Sequence, residues 1–211
     1  CAELRAPWMD ESERIILRSS EIVGFDTGYF YDDHFPTQEQ NGRGKDYKHT
    51  SFKWNAEKVP DELSAVCTVP GKGEFRLRLT VVEDYVDINM AVRNDSDRAM
   101  SYVDWYFCPV TYEAPSLLNR DLDRAFLFDG QRMITLRSTG EPSETMFAVA
   151  GPRGSGGFIP PLHAVHKRAA VEAQAPLVVV ENQRRTHSMG LAFERAHSIF
   201  SSAGNGCYHA D

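Results

Sequence analysis

Residues 73 to 97, GEFRLRLTVVEDYVDINMAVRNDSD, constrain the fold more than any other stretch. Phe75, Leu77, Leu79 and Val81 alternate with polar residues; past Glu83-Asp84 the phase changes, and Val86, Ile88, Met90 and Val92 take the apolar positions. A period of two sustained on both sides of a phase change predicts a β-hairpin, each strand with one face in a core and one in water. Arg76, Arg78, Asp87, Asn89 and Arg93 then lie on the outer face, and NDSD at 94 to 97 supplies turn chemistry.

The remaining chain reads in the same way. AMSYVDWYFCPVTYEAP at 99 to 115 is aromatic and β-branched, and Pro109 within it implies an edge, a bulge or a strand end. RAFLFDGQRMITL at 124 to 136 places Asp129-Gly130 between two apolar runs, the strongest short hairpin signal in the chain. Further strands are expected at 146 to 149, 177 to 181 and 187 to 194, and the closing AFERAHSIFSSAGNGCYHAD reads as a last hairpin about a Gly-Asn-Gly turn. DESERIILRSSEIV at 10 to 23 fits a short helix or strands, with strand preferred; HAVHKRAAVEAQA at 163 to 175 has helix-forming composition behind Pro160-Pro161. GPRGSGGF at 151 to 158 and QEQNGRGKDYKH at 38 to 49 read as loops, and neither has the trailing Lys-Ser/Thr of a phosphate-binding loop. The expectation is an all-β chain, an antiparallel β-sandwich or supersandwich, with residues 1–211 forming a single β-sandwich domain. The abrupt end at HAD and the missing initiator Met suggest a fragment, truncated at one or both ends.

Composition narrows the partners. The net charge is −7, with Lys and Arg scattered rather than blocked, which excludes nucleic acid and anionic lipid as main partners. The longest apolar stretch, APLVVV at 175 to 180, predicts no transmembrane segment, since a span needs about 20 residues. Cysteines at 1, 67, 108 and 207 form no C-x-x-C pair and no dense framework, so they are read as free, mostly buried thiols. A cysteine at position 1 is also what a lipoprotein shows after processing, so the location is cytoplasmic or, if Cys1 is such a residue, the cell envelope.

The run VEDYVDINMAVRNDSDRAMSYVDWYFCPVTYEAPSL followed by RAFLFDG resembles the middle strands of the galactose-mutarotase-like (aldose 1-epimerase-like) β-supersandwich proteins of bacteria. The likeness spans roughly residues 65 to 136. It implies a large antiparallel sandwich whose concave face binds carbohydrate, with epimerases using a Glu base and His acids there. The Asn-His-x-Tyr-Phe-Asn segment of the sugar epimerases has no counterpart in this sequence, so their catalytic histidine is transferred to no position.

Candidate site residues follow from chemistry. Glu194 with His209 and His163 are the candidates for acid-base catalysis on a sugar, with Glu113 as a second carboxylate. Trp105, Tyr112, Glu113 and Arg195 are the candidates for substrate binding, because sugars are held by aromatic faces and by charged groups that meet their hydroxyls. His163 and His166, three apart, with His197, His209 or Glu194 as a further ligand, are weak candidates for a divalent metal; no other cofactor is indicated. Three functions survive: a carbohydrate-active enzyme of epimerase or lyase type, a non-catalytic carbohydrate-binding or surface-interaction module, and a metal-dependent β-sandwich enzyme. The carbohydrate readings are preferred, and a cupin is disfavoured because the His-x-His set is missing.

Overall fold

The computed structural model describes residues 2–25, 28–32, 53–55, 59, 61–100, 103–142, 144–150, 167–202 and 206–210. Its strands are β1 (Ala2–Leu4), β2 (Ile15–Phe25), β3 (Gly28–Asp32), β4 (Lys53–Trp54), β5 (Glu62–Val69), β6 (Gly73–Val82), β7 (Tyr85–Asn94) and β8 (Val103–Val110). They continue as β9 (Ala125–Phe128), β10 (Met133–Thr135), β11 (Thr145–Ala148), β12 (Lys167–Arg168), β13 (Leu177–Glu181), β14 (Ser188–Ala192), β15 (Ser198–Ser202) and β16 (Cys207–Ala210). Among the described residues the only helical turns are of 3-10 type, at Pro115–Leu117 and Leu136–Thr139. The protein is all-β, built of three sheets that are antiparallel except where β12 joins β11. The chain sorts into two compact units, one of residues 20–105 and one of residues 1–19 with 106–211.

In the first unit β4, β5, β6 and β7 form one sheet in that order. The register pairs Val81 with Val86 and Val82 with Tyr85, so the hairpin turns at Glu83-Asp84, where the sequence changes phase. Glu83 takes a positive φ of 49° to close it. Phe75, Leu77 and Leu79 are buried with Ala65 and Cys67 of the neighbouring β5, as the alternation predicts. Val81 is a correction: it is 49% exposed, because it lies at the turn end of the hairpin, past the stretch that packs. Val86, Ile88, Met90 and Val92 point to the expected side but are only half-buried, since β7 is the margin of its sheet. All five residues assigned to the outer face are exposed. There Arg76 Nε donates to Glu74 Oε1 at 2.5 Å, and the Arg93 guanidinium donates to both Asp95 oxygens at 2.8 and 2.9 Å.

The second unit is a sandwich. The large sheet runs β1, β2, β8, β16, β15, β11, β12; the small one runs β10, β9, β13, β14, with β13 and β14 packed on β16. Phe107, Ile199 and Tyr208 from the large sheet and Leu127, Val178, Val180 and Leu191 from the small one are buried. Phe107 meets Phe193 edge to face with ring centroids 6.3 Å apart.

Local chemistry explains the remaining matches and misses. β9 and β10 form the hairpin expected at Asp129-Gly130, with Phe128 paired to Met133 and residues 129–132 as its loop. The loop is longer than the two-residue turn of an Asp-Gly hairpin because the Asp129 carboxylate accepts the N–H groups of Gln131 and Arg132 at 2.8 and 2.9 Å. Pro109 marks a strand end: β8 lies between β2 and β16, and the strand stops one residue later. The strands expected at 146 to 149, 177 to 181 and 187 to 194 are β11, β13 and β14, and the preferred strand within 10 to 23 is β2. The one or two helical turns expected within 163 to 175 are not found in its described part, residues 167–175. Residues 167 and 168 form β12, and the Ala173 N–H donates to Ala148 O at 2.9 Å, so pairing to β11 outweighs helix propensity. Residues 163 to 166 and the loops at 38 to 49 and 151 to 158 lie outside the described residues.

Candidate functional site

Three segments of the sandwich unit are tied together by hydrogen bonds: residues 5–14 between β1 and β2, residues 111–118 after β8, and the 182–187 turn between β13 and β14. Two of them have a local reason for their shape. In 111–118, the Ala114 N–H donates to Thr111 O and the Leu117 N–H to Ala114 O, with Pro115 opening the 3-10 turn. In the 182–187 turn, buried Asn182 accepts the Thr186 N–H on Oδ1 at 2.9 Å, and its own N–H donates to His187 O at 2.9 Å.

The ties between segments are polar and specific. The buried Glu13 carboxylate accepts the Ser116 N–H at 2.6 Å and the Ser116 hydroxyl at 2.9 Å. Gln183 donates its N–H to Ser116 O at 2.8 Å and its Nε2 to Pro115 O at 3.0 Å. Arg14 donates its N–H to Glu113 O at 3.1 Å and its Nε to Glu113 Oε2 at 2.5 Å, while its Nη1 lies 3.6 Å from Glu3 Oε2. The hydrogen bond to Glu113, with the charges of Glu113 and Glu3, raises the pKa of the Arg14 guanidinium above its ordinary value.

This framework carries the groups that face outward. Tyr112 is 45% exposed and directly precedes the ion-paired Glu113. The Trp8 indole stacks on the His187 imidazole, centroids 5.0 Å apart and planes at 13°. Tyr112 and Glu113 were legible as candidates; Arg14, Trp8 and His187 were not, because each acquires its role from a partner distant in sequence.

A second cluster lies on β8 and β16. Cys108 and Cys207 are joined, Cα to Cα 6.3 Å, which corrects their reading as free thiols; the pairing spans 99 positions and leaves no spacing signal. Cys207 and His209, two apart on β16, share a face, and His209 Nε2 lies 2.8 Å from Cys207 Sγ. Tyr208 points the other way, as the alternation in CYHA predicts, and is fully buried. Gly206 precedes them at φ +60°, where a Cβ would come within 2.5 Å of Thr111 Oγ1; its carbonyl accepts both the Thr111 N–H and hydroxyl.

The other expected residues are dispersed. β14 ends at Ala192, leaving Glu194 and Arg195 exposed in the bend that follows, at the opposite end of the strand from the 182–187 turn. Five strand residues separate those ends, roughly 17 Å. The 111–118 loop that carries Glu113 is tied to the 182–187 end of β14, and Glu194 follows the other end. His209 is buried beside Cys207, and His197 is half-buried just before β15. Trp105 contributes backbone to β8, but its side chain, like His163 and His166, lies outside the described residues. No family model, curated protein or solved structure matches this chain.

Proposed function

We propose that this chain is a carbohydrate-binding β-sandwich module, with a sugar ring lying on Tyr112 and its hydroxyls met by Glu113 and Arg14. The observation that carries the reading is the exposed Tyr112 set beside a charge pair already held in place. An aromatic face takes the apolar side of a pyranose, and a carboxylate and a guanidinium supply an acceptor and donors for vicinal hydroxyls. Because Glu113 and Arg14 are fixed by Glu3 and by the 111–118 loop, little side-chain freedom remains to be lost on binding. The resemblance of residues 65 to 136 to mutarotase-like supersandwiches supports a sugar as ligand. Binding is proposed rather than turnover, since Glu194 stands apart from Glu113 and His209 is engaged with Cys207.

The test is calorimetric titration of neutral and acidic mono- and oligosaccharides into the wild type and Tyr112→Ala. A saccharide that binds the wild type and loses at least about tenfold in affinity on Tyr112→Ala is the expected result. Absence of binding across the panel, or equal binding by the variant, overturns it.

A further inference from the structure

We propose that Cys108, Cys207 and His209 form a redox-gated site for a zinc-like cation: a disulfide when oxidised and a Cys2His metal site when reduced. The inference does not depend on the carbohydrate reading, since Cys108, Cys207 and His209 are not among the residues assigned to the sugar.

Three observations support it. The Sγ atoms of Cys108 and Cys207 and an imidazole nitrogen of His209 all lie within 4.8 Å of one another, the one such group of three His, Cys or acidic residues among the described residues. A tetrahedral zinc ion with Zn–S near 2.3 Å and Zn–N about 2.0 Å holds its donors roughly 3.5 to 3.8 Å apart. The two sulfurs need only part to that distance once the bond between them is broken. Second, the donors sit on adjacent paired strands, β8 and β16, so the sheet fixes their backbones in either state. Third, the surroundings suit a soft ion. Cys108 packs with Ile16 and Val110, the His209 ring meets Phe200 edge to face at 5.1 Å, and half-buried Cys207 leaves an approach from solvent. Two thiolates and an imidazole select zinc or copper(I) over calcium or magnesium. Three protein donors leave the fourth tetrahedral position for water or an added ligand.

The exchange balances. A thiol reductant supplies two electrons and two protons, the Sγ–Sγ bond breaks, and two thiols form. A divalent cation then displaces both thiol protons and takes His209 through a ring nitrogen. In reverse, a disulfide oxidant accepts two electrons as the sulfurs rejoin and the cation leaves. An oxidising compartment would hold the staple and a reducing one the metal.

The experiment uses the full chain carrying Cys1→Ser, so that position 1 cannot contribute. The protein is reduced anaerobically with a phosphine, desalted, checked for its β-type circular dichroism, and titrated with cobalt(II) as a coloured stand-in for zinc. One cobalt per chain with a thiolate-to-metal charge-transfer band, displaced by zinc, is expected. Cys67→Ser should leave the band intact, Cys108→Ser should abolish it, and His209→Ala should weaken cobalt affinity by at least about tenfold. Should a variant fail to fold, alkylation of the parent protein decides: zinc should shield Cys108 and Cys207 but not change the labelling of Cys67. A disulfide that resists reduction in the folded protein, a reduced protein that takes up no cobalt, or alkylation of Cys108 and Cys207 unaffected by zinc would each overturn the proposal.

Discussion

Arg14 and Glu113, 99 positions apart in the chain, meet at 2.5 Å between guanidinium Nε and carboxylate Oε2. Both are substantially exposed, so the pair contributes little to folding, and under the proposed function it holds two polar groups beside Tyr112. Arg14→Lys should leave the melting temperature nearly unchanged, because the cost of an exposed pair is small. It should weaken saccharide affinity about threefold or more, since an ammonium cannot fork between Glu3 and Glu113 as a guanidinium does. Differential scanning calorimetry beside ligand titration separates the two effects; a large fall in melting temperature would show the pair to be structural instead.

The Cys108–Cys207 bond closes a loop of 99 positions and so restrains a large part of the unfolded chain. In metal-free buffer the Cys108→Ala, Cys207→Ala double variant should lose about 2–5 kcal/mol of stability. Urea unfolding of the oxidised wild type and the double variant gives the difference directly, and equal midpoints would mean that the staple restrains nothing.

Tyr208 is fully buried, and its hydroxyl meets no hydrogen-bonding partner among the described residues. Burial pushes its pKa up to about 12, against a smaller opposite pull from Arg124. The unfolded chain ionises this phenol near its ordinary value of 10.0 while the folded chain keeps it neutral, so stability is lost as pH rises from there toward 12. Tyr208→Phe removes that alkaline loss. At neutral pH it should be neutral or slightly stabilising, because no hydrogen bond is given up. Melting temperatures from pH 8 to 11 check the sign: parallel curves for wild type and variant would place the hydroxyl in contact with solvent.

Leu79 and Val81 stand two apart on β6 and share a face, yet one is buried and the other 49% exposed. Leu79→Asp should cost several kcal/mol, as an unpaired charge among apolar groups does. Val81→Asp should stay within about 0.5 kcal/mol of wild type, as surface changes usually do. A comparable loss in both variants would mean that the buried stretch extends to the turn.

The contrast between those two residues shows what alternation can reveal. A period of two states which side a residue faces and where a hairpin turns, and β6 and β7 follow it through Glu83-Asp84. It does not state how far the neighbouring layer reaches, so Val81 was expected in the core. Composition failed at 167–175 for a related reason: alanines that favour a helix in isolation also pack closely against β11, and Ala169 and Ala173 are buried there. In the candidate site, Tyr112 and Glu113 were legible from residue type in one loop. Arg14, Trp8, His187 and the Cys108–Cys207 pairing depend on strand order, which no local pattern encodes.

The place of β16 bears on how the protein is made. Residues 207–210 fill the position between β8 and β15, pairing with a strand synthesised about a hundred residues earlier. Until they leave the ribosome, the large sheet cannot be completed on that side of β8. At typical translation rates of about 5–20 residues per second, that edge waits for seconds. The pairing is also distant in sequence, which makes closure slow by itself. During that interval β8 offers an open template for a wrong strand, and a chaperone that covers it would raise the yield of native protein more than one acting on the locally paired hairpin of β6 and β7.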